Sequence, residues 1–234
     1  FNVVGTGNVA IGCDTLRCST ASNNTAVGFC ALRSNTTGDD NVALGICALA
    51  SNTTGVKNTA VGRLLEENTV GQRNTAIGDG ALVLNTGGTA NTAVGLYASF
   101  YNTTGANNVS LGYRAVFKNT TGVNNVGLGF SALCANTLGC CNVGVGTCAL
   151  KSNTTGIRNT ALGDRALENN ITGARNVAVG NRAMRDNTTG VYNTVLGAQS
   201  LFSNTAGSRN ISIGTSTSLY STTGNDNTAM GYNA

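Results

Sequence analysis

A glycine returns every 16 or 17 residues from end to end of this 234-residue chain, at positions 12, 28, 45, 62, 78, 95, 112, 129, 146, 163, 180, 197, 214 and 231. Around each glycine runs one phrase: Asn, then Thr or Val, a small residue, an aliphatic, Gly, two variable residues, Ala-Leu and Asn-Thr-Thr-Gly. Residues 24–40 (NTAVGFCALRSNTTGDD) and 159–175 (NTALGDRALENNITGAR) show it plainly. A fixed period of this length means one small unit stacked on copies of itself, because no single copy can bury its apolar face alone. The pattern predicts an all-β fold, a parallel β-solenoid of about fourteen rungs with two short strands per rung, in one array over residues 1–234. At a spacing of ~4.8 Å per rung, such a stack is roughly 60–65 Å long.

Composition agrees with a ladder of this kind. Proline is absent, as expected where nearly every backbone N–H bonds a neighbouring rung and a missing donor would open the stack. Charged residues make up 10% of the chain, against roughly 25% in an average soluble protein. Histidine is missing altogether, which removes the commonest general base and the commonest transition-metal ligand. The net charge of +4 is spread over 14 basic and 10 acidic side chains, too scattered for a nucleic-acid footprint. No stretch is long and apolar enough to span a membrane, and no signal-peptide pattern opens the chain. Such a segment is expected to have been processed or to lie outside the chain.

Phases are counted here from each glycine as zero. Phase −1 is always aliphatic (Ile11, Val27, Leu44, Val61 and so on to Met230) and phase −3 is Thr or a β-branched apolar residue, so the two share one face of a short strand. That face is expected to point inward. Phase −2 is Ala, Ser or Gly except at Val195, which would leave the other face bare. A bare face lets a second backbone approach closely, so Gly28, Gly45, Gly62, Gly95, Gly112, Gly129, Gly146, Gly163 and Gly180 are expected to form an assembly face. A second strand would carry Ala at +3 and Leu at +4, the leucines closing the coil interior. Asn-Thr-Thr-Gly then supplies turn residues, an Asn that bonds its own backbone and a Gly tolerant of positive φ. Charged residues fall at +1, +2, +5, +6, +11 and +12, as turns require. The first repeat and the one at 62–77 are a residue short, the latter reading Leu64-Leu65-Glu66-Glu67. Both are read as shortened turns. Neither end shows a cap, so a longer array or a head-to-tail fibre is expected.

The phrase Asn-Thr-Ala-Val-Gly (Asn24 to Gly28, Asn91 to Gly95) resembles the head repeats of trimeric autotransporter adhesins. Closer still is the Asn-Thr-Ala-x-Gly, Ala-Leu, Asn-Thr-Thr-Gly array of fibre proteins from phages and algal viruses and of environmental bacterial surface proteins. The likeness covers essentially the whole chain, although the repeat is longer than in the adhesin heads and no neck, stalk or anchor follows. It implies a left-handed β-roll, three chains about an axis, and an extracellular, cell-surface or virion location.

Ten Asn-x-Ser/Thr sequons occur, and those at Asn35, Asn52, Asn102, Asn119, Asn153, Asn170 and Asn187 share the turn phase. They are expected to be exposed and open to glycosylation, or to be products of turn chemistry alone. Eight cysteines fall in two groups. Cys30 and Cys47 share phase +2 on adjacent rungs, within disulfide reach, so they are read as an extracellular staple or as small apolar fillers. Zinc is not expected, without paired C-x-x-C sets or histidine, nor is any cofactor. Arg158, Arg175 and Arg209 at +12, with Arg165 and Arg182 at +2, give the second half a basic edge, a solvated turn or a contact for anionic glycans.

Catalysis is not expected, because Glu66-Glu67 and Asp39-Asp40 share no face. The sequence therefore points to a structural module of an extracellular or virion fibre that assembles with itself, as a homotrimer or a head-to-tail filament. An adhesin head binding glycans or a surface receptor multivalently is the alternative. Ice binding stands behind both, since the threonines at −3 are expected to face inward and alternate with Val.

Overall fold

The computed structural model describes residues 5–17, 19–63 and 68–234. Cys18 and the unusual turn at Leu64–Glu67 lie outside the described residues, as does Asn2. The protein is a parallel β-solenoid. It falls into two compact units, one taking residues up to Arg114 together with Asn119–Thr121, the other Ala115–Lys118 with Gly122–Ala234.

The first unit carries β1 (Val9–Ile11), β2 (Thr25–Val27), β3 (Val42–Leu44), β4 (Thr59–Val61), β5 (Thr75–Ile77), β6 (Thr92–Val94) and β7 (Val109–Leu111). The second carries β8 (Val126–Leu128), β9 (Val143–Val145), β10 (Thr160–Leu162), β11 (Val177–Val179), β12 (Thr194–Leu196), β13 (Ile211–Ile213) and β14 (Thr228–Met230). Within each unit, successive strands pair in parallel with equal phases opposed, as Thr25↔Val42 and Val27↔Leu44 in one and Thr160↔Val177 and Leu162↔Val179 in the other. Among the described residues each coil has one strand, not the expected two. From +1 to +6 the chain turns instead, with left-handed backbone at +2 and +4, as at Arg165 (φ 54°) and Leu167 (φ 51°), and again at +12, as at Arg175 (φ 57°). Non-glycine residues there carry the cost of that conformation because the rung above and the rung below both hold the turn: Arg165 N–H bonds Thr147 C=O at 2.8 Å and Leu167 N–H bonds Ala183 C=O at 3.1 Å.

The faces of the strand are the reverse of those expected. The small residue at −2 points inward and is buried, while −3 and −1 look out, as the patterns of β3 and β10 show. The interior of a coil is filled by Ala at −2 and +3 and Leu at +4, for example Ala161, Ala166 and Leu167, each fully buried. The leucines close the coil as the sequence predicts. The coil leaves little room for a second row of large side chains, so −2 is Ala, Ser or Gly in every coil but that of Val195, which is itself fully buried. Gly127 marks the limit: a Cβ there would stand 2.6 Å from the Val116 side chain.

The periodic glycine answers to its own chain. At Gly146 φ is 129°, a region closed to L residues, and a Cβ would stand 2.5 Å from the carbonyl oxygen of Gly163 on the next coil. Gly28, Gly45, Gly129, Gly163 and Gly180 meet the following glycine in the same way, Gly62 and Gly95 do so at 2.9 Å, and Gly112 shares the left-handed φ (123°). Their bareness is therefore required by stacking within one chain. It is not evidence of a face for a neighbouring chain, and the expected role of these glycines is corrected accordingly. The turn glycine at +10 has a different constraint from the one expected: a Cβ on Gly156 would meet Asn153 Oδ1 at 2.3 Å and Gly173 O at 2.4 Å, without any left-handed φ.

Two columns of asparagine complete the interior. Asn159, at −4, donates its N–H and its Nδ2–H to Oδ1 of Asn142 (3.0 and 3.1 Å) and a second Nδ2–H to the Gly173 carbonyl (2.8 Å). Asn153, at +7, donates to Asn136 Oδ1 at 2.8 Å and to the Gly156 carbonyl at 3.1 Å, and accepts from Asn170 Nδ2 at 2.8 Å. The same bonds recur from coil to coil, so a carboxamide inside the stack uses both donors and its oxygen, with Asn204 Oδ1 the exception. A buried polar group is tolerated only on those terms.

Candidate functional site: the outward strand face

With the strands turned this way, the large residues form a surface. Ile77, Leu111, Leu162 and Leu196, all at −1, are 38–50% exposed, and Val109, Val177 and Ile211 at −3 are open to a similar degree. Phe29, Ile46, Leu96 and Phe130 at +1 continue the apolar band past the glycine and are exposed as well. No residue at −3 or −1 is charged anywhere in the sequence. Each unit thus presents an uncharged face with one aliphatic per coil beside Thr or Val. Contiguous exposed apolar surface of this sort marks a contact site in a soluble protein. Thr25, Thr59, Thr75, Thr92, Thr160 and Thr194 share the outward face. The inward placement that set ice binding behind the other readings does not hold, although Val or Ile takes the −3 position in half of the coils and interrupts the threonine array.

The sequon asparagines are corrected outright. Asn35, Asn52, Asn102, Asn119, Asn153, Asn170 and Asn187 are at most 1% exposed. They form the +7 column, with each Nδ2, the atom a glycan would take, donating to a neighbour inside the coil. A glycan on any of these seven has no place in this fold, whereas the sequon Asn23 is exposed.

Cys30 and Cys47 stand on adjacent coils as expected, but no disulfide joins them. Both take left-handed backbone (φ 57° and 56°), and Cys30 is buried while Cys47 is half-buried, so equal phase does not bring equal surroundings. The second group divides similarly: burial pushes the thiol of Cys148 up from its ordinary value, and burial with the neighbouring Cys141 does the same to Cys140. Neither is an activated nucleophile.

The basic edge is largely engaged within the chain. Arg209 pairs with Asp226 at 2.6 Å, which lowers that carboxyl, Arg185 pairs with Asp186 and lies 4.0 Å over the Phe202 ring, and Arg175 packs on Tyr192. Among the described residues there is no group of three or more His, Cys, Asp or Glu side chains able to hold a metal ion, and no helix long and apolar enough to cross a membrane.

The exposure of the aliphatics at −1 runs against their apolar character, and the sign of an inverted coil lies at −4, which is Asn in every repeat and never Asp. A solvent-facing turn admits either residue, whereas an internal ladder requires the two donors that Asp lacks. No protein-family profile matches this chain, and no curated protein is significantly similar to it.

Proposed function

We propose that the chain is a non-enzymatic structural module that packs side by side with further copies of itself through the outward strand face, as part of an extracellular or virion fibre. One observation carries this reading: the repeated, uncharged aliphatic column at −1, continued by the apolar residues at +1. A second copy is the partner whose surface repeats with the same period, so the −3 and −1 columns of two copies can meet without a like-charge clash, the charges at +1 being confined to Arg63, Asp79 and Asp164. The absence of histidine and the scatter of carboxylates support a role without catalysis.

Light scattering on the purified chain tests it. A mass that is a multiple of 23.6 kDa is expected at micromolar concentration. Leu111→Lys, Leu162→Lys and Leu196→Lys together should give a monomer with an unchanged β spectrum, since three exposed charges cost the fold little but must be desolvated in the contact. A parent that remains monomeric, or a triple variant that still assembles, overturns the reading.

A further inference from the structure

Aromatic residues are scarce here, 6 Tyr and 6 Phe, yet four gather on one turn edge of the first unit. Phe100 lies edge-to-face between Tyr97 (5.7 Å between centroids) and Tyr101 (4.9 Å), and Tyr97 meets Tyr113 on the next coil at 6.5 Å. The Arg114 guanidinium lies 6.0 Å from the Tyr113 ring. Tyr97, Tyr101 and Tyr113 remain 37%, 42% and 38% exposed, so three rings with three hydroxyls share one surface and are held in place by one another.

The preceding coil is cut back to receive them. Gly80 holds phase +2 with φ 69°, where the other described coils carry a side chain in the same left-handed conformation. A Cβ at Gly80 would stand 2.4 Å from the Tyr97 ring. The glycine is thus not needed for the backbone, since Arg165 and Cys148 adopt the same φ. It is needed for the position of the ring.

We propose that Tyr97, Tyr101 and Tyr113 form a carbohydrate-binding platform. A pyranose ring has an apolar C–H face that stacks on an aromatic ring and a rim of hydroxyls that pair with phenol, guanidinium and carboxylate. All three partner types are near, the last from the exposed Asp79 on the coil of Gly80. At 150–250 Å² for a whole aromatic side chain, the three exposed portions offer roughly 200–300 Å². That is well short of the ~800 Å² a side that a standard protein interface buries, and on the scale of one or two sugar rings. Rings already fixed by their neighbours lose little freedom on binding. Tyr113 stands at +1, on the border of the strand face, and Tyr97 and Tyr101 at +2 and +6 lie beyond it; the lysine variants at −1 leave all three rings in place, so either proposal can fail without the other.

The test is calorimetric titration of the intact protein with maltohexaose, cellohexaose, xylohexaose and chitohexaose. Saturable binding of at least one is expected, weakened at least tenfold in Tyr97→Ala and in Tyr101→Ala and unchanged in Tyr192→Ala. Gly80→Ala removes no ring and leaves a backbone the other coils already tolerate. It should weaken binding by displacing Tyr97, with thermal stability and mass in solution as in the parent. No saturation by any of the four sugars up to millimolar concentration overturns the proposal, as does binding that Tyr97→Ala, Tyr101→Ala and Gly80→Ala leave intact.

Discussion

Ser99 and Ser110 show how strictly the coil interior is matched residue by residue. Their hydroxyls are both buried and lie 2.8 Å apart, at phases where the neighbouring coil has Leu82 and Ala93. The Ser110 hydroxyl also lies 3.2 Å from the Thr92 carbonyl. Ser200 and Ser212 repeat the arrangement at 2.8 Å in the second unit. Each hydroxyl is acceptable because the other is there. Ser110→Ala should therefore cost about 1–3 kcal/mol by stranding the Ser99 hydroxyl among alanines, whereas Ser99→Leu combined with Ser110→Ala restores the usual pair. The double variant is expected to melt at or above the parent and the single variant below it. Equal melting temperatures for the single and double variants would show the pairing to be incidental.

At the scale of the element, the strand is three residues long and owes its place to what flanks it. Asn at −4 fixes its start by bonding both backbone and carboxamide to the coil before, and the glycine at zero ends it. Asn153→Ala would strand Asn136 Oδ1 and Asn170 Nδ2 inside the coil at once, and a loss of roughly 2–5 kcal/mol is expected, read as a lowered melting temperature. The +7 column also has a visible gap. Asn204 Oδ1 is buried without a partner because the next coil offers Ser221 at that phase. Ser221→Asn should extend the ladder and raise stability by about 1 kcal/mol; no gain, or a loss, would mean that the last turns cannot hold a carboxamide.

The legible and illegible parts of the fold separate at this same scale. Strand position, the in-register stack and the buried leucines at +4 follow from the period alone. Which face turns inward does not. A period of two says only that −3 and −1 lie together, and the usual preference for large apolar residues inside fails where the interior is shared among Leu, Ala and two asparagines. Asn-Thr-Thr-Gly looks like an exposed turn for the same reason: its residues are those of surface loops, and only the stacked partner turns Asn35 or Asn153 from a surface residue into a core residue. Nor could the aromatic platform be read from the sequence, since Tyr97, Tyr101 and Tyr113 are 4 and 12 residues apart and meet only through the coil and its stack.

On the scale of the whole molecule, charge is kept to the turns. No charged residue is among the buried polar side chains of the described chain, and none stands on the strand face. Of the ion pairs present, Arg209 with Asp226 and Arg17 with Asp14 are exposed and contribute little to stability. Cohesion rests on repeated neutral hydrogen bonds and a thin apolar seam, leaving the broad aliphatic face available for contact. The glycines lie on the opposite side of the strand, so a contact between copies through this face would involve exposed Leu, Ile and Val and not the bare positions.

The asparagine columns carry one more consequence, which concerns age. Asparagine decays when the backbone nitrogen of the next residue attacks the side-chain carbonyl carbon, closing a five-membered imide and expelling ammonia. That nitrogen is hydrogen-bonded after the column residues and the exposed ones alike, as at Thr36 (to the Thr53 carbonyl, 2.9 Å), Asn108 (to Asn91 Oδ1, 3.0 Å) and Arg182 (to the Asp164 carbonyl, 2.8 Å), so what sets the columns apart is the buried, fully bonded side chain. The carboxamides themselves cannot swing into the required position without leaving their partners. After weeks at 37 °C and mildly alkaline pH, peptide mass spectrometry should find conversion to aspartate at exposed Asn107 and Asn181 and not at Asn35, Asn41, Asn153 or Asn159. Equal conversion of both groups would mean that the coils open on that timescale. A chain so rich in the most perishable of side chains would then owe a long service life to having placed those residues in its centre.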